Sequence, residues 1–123
     1  MHFTGLVPDG ARLLAGLDIY AQTSRSEGRS IAMLEAMAAG LPTVASALDP
    51  VREIHSEGKT ALLVPPSDTG PIADALFRLC DDVQLRRRLG AAAREAVQRY
   101  SIDHTVDAYV ALYREIACKA RAA

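Results

Sequence analysis

Glu27 and Glu35, separated by seven residues, frame the segment of this chain best suited to hold a ligand. Between them run Gly28, Arg29, Ser30, Ile31 and Ala32, a polar turn that leads into an apolar stretch. Ser30 suits a helix N-cap, where its hydroxyl can accept a bond from an early helix amide. The amides of Ile31, Ala32 and Met33 would then face outward with the aligned peptide dipole behind them, a place for an anion such as a phosphate. Gly28 lets the backbone come close to a ligand. At helical spacing Met33, Leu34, Met37 and Leu41 share one face, while Glu35 falls beside Ile31 in a strip with Ala32, Ala36 and Ala39. A carboxylate there can accept bonds from sugar hydroxyls. The same spacing also fits a solvated glutamate whose neighbouring alanines pack against another element.

The surrounding pattern positions this segment. A helix is expected over 30–39, with Gly40 past its end and Pro42 beyond as stop signals. A buried strand over 18–23 precedes it, joined by a polar loop over 24–28, and a second buried strand over 43–46 follows. A short strand over 2–5, a short helix between Pro8 and Gly16, a helical turn over 51–55 and a strand over 60–64 complete the first half. Three helical faces follow: Ile72, Leu76 and Leu79; then Leu85, Leu89, Ala93 and Val97; then Val106, Tyr109, Val110, Tyr113 and Ile116. This alternation predicts an α/β fold, a partial Rossmann-like parallel sheet of three to four strands covered by helices, with a helical C-terminal tail. In such sheets ligands bind at the carboxyl ends of the strands, which is where the loop over 24–28 lies.

The composition narrows the classes. The chain has 123 residues, about one domain's worth, and its 50% apolar and 24% charged content is that of a globular protein. A net charge of -1 gives no reason to expect nucleic acid. Cys80 and Cys118 lack metal or redox spacing and read as reduced, buried or half-buried residues. His2, His55 and His104 are scattered, so neither a metal nor a cofactor is expected. No apolar run approaches a membrane span and no signal-peptide pattern opens the chain, so the cytoplasm is the expected compartment. Gly58-Lys59-Thr60 imitates the end of a P-loop, but Glu53 stands where its first glycine belongs, and the run precedes a strand instead of following one. Arg86-Arg87-Arg88 reads as a solvated helix face, with at most a peripheral contact with anionic lipid.

The run Glu27-Gly28-x-Ser30-x4-Glu35-Ala36-Met37-Ala38-Ala39-Gly40-Leu41-Pro42-Thr43-Val44-Ala45-Ser46 is similar to the glutamate-x7-glutamate signature of group-1, GT4-like retaining glycosyltransferases of the GT-B fold. Phe3-x-Gly5 and Leu17-Asp18-Ile19-Tyr20 upstream, and Arg52-Glu53-Ile54 and Leu62-Leu63-Val64-Pro65-Pro66 downstream, extend the resemblance over essentially the whole chain. It departs at Arg29-Ser30, where the family commonly has an aromatic then a glycine, and at Ala61, where glycine usually follows the threonine.

The resemblance implies a nucleoside-diphosphate sugar as substrate, transferred with its anomeric configuration kept. Glu27 would contact hydroxyls of the transferred sugar and is the catalytic candidate. Glu35 would bind the ribose, and the amides of Ser30, Ile31 and Ala32 would meet the diphosphate. Arg29 reaches a phosphate or an anionic sugar, or is simply solvated. The resemblance covers only the later part of the C-terminal donor domain, so the expectation is an incomplete domain with little activity alone. With the family strand order 3-2-1-4-5-6, the 2–5 strand has no neighbour and the 18–23 strand is an open edge. A separate acceptor-binding domain, or self-association through that edge, is the expected partner. The alternatives are a non-catalytic interaction or nucleotide-binding module derived from such an enzyme, and a remnant that binds nothing.

Overall fold

Three short strands, β1 (Tyr20–Gln22), β2 (Thr43–Ser46) and β3 (Ala61–Val64), form one parallel sheet in the order β1-β2-β3. The register sets Tyr20 beside Thr43 and Thr43 beside Ala61. This computed structural model describes the backbone of residues 1–122 and the side chains of residues 1–119. The helices are α1 (Gly10–Leu14), α2 (Ile31–Ala38), α3 (Asp49–Ile54), α4 (Thr69–Asp81), α5 (Val83–Ala96) and α6 (Ile102–Ala122), with a 3-10 turn at Val97–Tyr100. None of the described helices is long and apolar enough to cross a membrane.

Sheet order follows from burial. Every residue of β2 is buried, as a strand with neighbours on both edges and helices on both faces requires. Alternation along β2 sends Ala45 into one cluster with Met33, Met37, Val51 and Ile54, and Val44 into another with Leu62, Leu79 and Leu89. The expected face over 85–97 is buried, and that over 72–79 packs on the core with Leu79 buried and Ile72 and Leu76 partly so. α5 serves both layers, its first half (Leu85, Leu89) closing one cluster and its second (Ala93), with Val97, the other. Gly90 makes the close approach possible: a Cβ there would sit 2.1 Å from the carbonyl oxygen of Gly40. Gly40 itself turns the chain from α2 into β2 with φ at +76°.

Several expectations need correction. Residues 2–5 form no strand, and Phe3 is 85% exposed. Among the described residues no strand pairs with them, and unpaired extended backbone gains nothing over hydration. β1, at one edge of the sheet, is shorter than 18–23 and only half-buried. The helical turn starts earlier than expected, at Asp49, with Pro50 in its first turn. Cys80 and Cys118 are both exposed: Cys80 faces away from the core side that Leu79 occupies, and every described side chain of α6 is exposed. The apolar face of α6 is present but uncovered, with Val106, Tyr109, Tyr113 and Ile116 all at least half exposed. The arginine run is not merely solvated. Arg86 donates to the carbonyls of Leu79 and Cys80, closing the end of α4, and Arg88 donates to the Gly58 carbonyl at 3.1 Å.

Candidate functional site

The site begins on β1. Residues two apart on a strand share a face, so Tyr20 and Gln22 point the same way. The Tyr20 hydroxyl donates to Gln22 Oε1 at 2.6 Å, and the Ser30 hydroxyl donates to the same oxygen at 3.0 Å. The Gln22 amide nitrogen in turn donates to Glu27 Oε1, which also accepts from the Ser24 hydroxyl at 2.7 Å. One network thus ties the strand, the loop and the cap of α2 together. Glu27 is half-buried, and its second oxygen, Oε2, has no partner among the described residues. It remains available to a ligand.

Ser30 is the N-cap of α2, with its side chain accepting from the Met33 amide at 3.3 Å. That satisfies one of the three amides expected to be free and leaves those of Ile31 and Ala32 at the helix mouth. The mouth is open, since Ile31 is 71% exposed. Nothing within the chain requires glycine at position 28: its φ is negative and an added Cβ would meet no atom within 4 Å. The loop therefore offers bare backbone toward open space.

Glu35 is exposed, one turn into α2, and lines a groove of about 290 Å³ with Ile31, Ala38, Gln98 and Tyr100. It and Glu27 share a neighbourhood: burial first, then the negative charges of Glu27 and Glu35, push the Tyr20 phenol above its usual range. Tyr20 thus stays protonated, and donates, at neutral pH. Arg29 lays its guanidinium 5.9 Å from the centre of the Tyr100 ring. Ala61, where glycine was expected, is fully buried in β3, and its carbonyl accepts from the Gly58 amide. Thr60 of the false P-loop is also structural, accepting from the Ser56 amide at 2.9 Å. The supporting residues Tyr20, Gln22 and Ser24 escape a reading by motif; the signal was Gln22, a polar residue inside a strand flanked by two polar loop residues.

The α2 mouth thus leaves two amides outward at the carboxyl end of a parallel strand, with Glu27 and Glu35 nearby, in the region where ligands bind in open parallel sheets. Residues 1–82 match the model of the family described as glycosyl transferases group 1, and the chain belongs to that family. Over 120 residues it is 38% identical to phosphatidyl-myo-inositol mannosyltransferase of Mycobacterium leprae, covering 95% of this chain and 32% of that protein. It is 31% identical to N-acetyl-alpha-D-glucosaminyl L-malate synthase of Bacillus anthracis, covering 93% of this chain and 30% of that one. The structure of sucrose-phosphate synthase from Thermosynechococcus elongatus superposes with a TM-score of 0.82 at 30% identity, over 89% of this chain and 28% of that one. The sheet, its covering helices and the helical tail are those of GT-B glycosyltransferases. The chain spans about a third of the length of the curated relatives it matches.

Proposed function

We propose that this chain is the donor-binding part of a retaining glycosyltransferase, corresponding to the later part of the relatives' C-terminal domain. It binds a nucleoside-diphosphate sugar and transfers the sugar only together with an acceptor-binding domain. The observation that carries this reading is the network running from Tyr20 through Gln22 to both Glu27 and Ser30, which fixes the first carboxylate relative to the α2 mouth.

In this account the amides of Ile31 and Ala32 receive the diphosphate and stabilise the negative charge that builds on it as the glycosidic bond breaks. Glu27 offers Oε2 to the sugar hydroxyls and orients the anomeric carbon. Glu35 accepts from the ribose hydroxyls. Attack on the face the diphosphate leaves preserves the anomeric configuration. The names of the three relatives carry an anionic group: phosphatidyl, malate and phosphate. An acceptor bearing a phosphate or carboxylate is the class that fits this chain best.

Calorimetry with UDP, GDP and ADP and their glucose conjugates tests the reading. One nucleotide series binds, and Glu27→Gln weakens the sugar conjugate more than the free nucleotide, because only the sugar meets Glu27. Equal losses for both contradict its role. A folded chain that binds none of them favours the second reading, an interaction module, for which the exposed β1 edge and the uncovered face of α6 speak.

A further inference from the structure

We propose that the cavity between α2 and the start of α6 is an oxyanion subsite, separate from the α2 mouth, that takes a phosphate or carboxylate through Arg29, Arg99 and His104. The cavity measures about 360 Å³, and none of its lining residues is acidic. Two guanidinium groups converge on one aromatic ring, Arg29 at 5.9 Å and Arg99 at 4.8 Å from the centre of Tyr100. Arg99 is fixed there, donating through Nη2 to the Glu53 carbonyl at 2.9 Å and to the Tyr100 hydroxyl at 2.8 Å. Its Nη1 and Nε have no partner among the described residues, and Arg29 forms no ion pair with a described carboxylate. Asp103 and Asp107 flank His104 in sequence but do not line the cavity.

Planar guanidinium forks match the geometry of a phosphate or carboxylate, and each lies within cation–π reach of the Tyr100 ring. Leu34 and Tyr100 line both this cavity and the groove that holds Glu35, so the two adjoin. An anion bound here would lie beside a ribose held by Glu35. The cavity does not depend on the donor reading, which enters only in naming the source of the anion.

Titration of the full chain with inorganic phosphate, followed by amide chemical shifts at constant ionic strength, tests the proposal. Saturable shifts centred on Arg29, Tyr100 and His104 are expected, and chloride does not reproduce them. Arg29→Ala weakens phosphate about tenfold, the worth of one charge-assisted bond, with the melting temperature unchanged, and Arg29→Lys restores part of the loss. His104→Gln weakens phosphate to a smaller extent. Shifts that never saturate, that chloride matches, or that survive Arg29→Ala overturn the subsite. Repeating the titration with whichever nucleotide binds is a second arm: retention of phosphate supports a separate site, and competitive loss reassigns the anion to the donor's own diphosphate and overturns it. A third arm uses the glucuronic acid conjugate of that nucleotide. If it alone displaces phosphate, the anion belongs to the transferred sugar; if phosphate stays, the transferred sugar is not its source. Should no nucleotide bind while the Arg29-dependent shifts persist, the donor reading fails and the subsite stands.

Discussion

Glu27 commits one oxygen to the protein and leaves the other without a partner among the described residues, a division set by Gln22 and Ser24. A second residue under tight control is His55, 2% exposed, with Nδ1 3.1 Å from Thr60 Oγ1 and Nε2 lacking a partner among the described residues. Burial pushes its pKa down from 6.5 to about 4. The folded chain therefore binds fewer protons than the unfolded one between these values, and stability falls as pH drops through that window. Above pH 6.5 the full contribution is present, and below about 4 no more is lost. The drop is on the order of 3 kcal/mol. Urea unfolding from pH 7.5 to 4 measures it, and His55→Phe should flatten the part of the profile due to this group. Glu27, Ser30 and Glu35 were legible in the sequence because a loop-to-helix junction has a recognisable chemistry. His55 was not: nothing in its neighbours' identities reveals whether a lone histidine turns inward.

The element that holds α2 against the rest is α5, and the contact is backbone on backbone at Gly40 and Gly90. Alanine normally favours a helix interior over glycine by about 1 kcal/mol. Here the added Cβ would lie 2.1 Å from the Gly40 carbonyl oxygen, and neither partner is the free end of a flexible side chain. The clash outweighs the propensity, and Gly90→Ala should cost about 2 kcal/mol and lower the melting temperature by roughly 5–10 °C. A rise in melting temperature would show that α5 can back away. β2 and α2 were legible almost to the residue, since a buried run between glycine and proline signals leaves little choice. Residues 2–5 and the open face of α6 were not, because apolar pattern states what a segment could bury and not whether a partner is at hand. Arg86 and Arg88 were misread for a related reason: the charge was visible, while the carbonyls it serves lie on other elements.

Seen as a whole, the molecule is a covered three-stranded sheet with β1 and β3 at its edges, followed by a long helix that few other described residues touch. The β1 edge is also the strand that carries Tyr20 and Gln22, so whatever pairs with it would act on the candidate site directly. The apolar face of α6 starts just after Ser101, in the same region as the proposed oxyanion cavity. In the proposed function, donor recognition is the part of the chemistry assigned to this chain, and the contact between Glu35 and a ribose is its plainest element. Calorimetric titration of the best-binding nucleoside diphosphate into the chain and into Glu35→Ala tests that contact. The account predicts a loss of about tenfold in affinity, the worth of a hydrogen bond to a charged group, with folding unchanged. Equal affinity for the two proteins would contradict it.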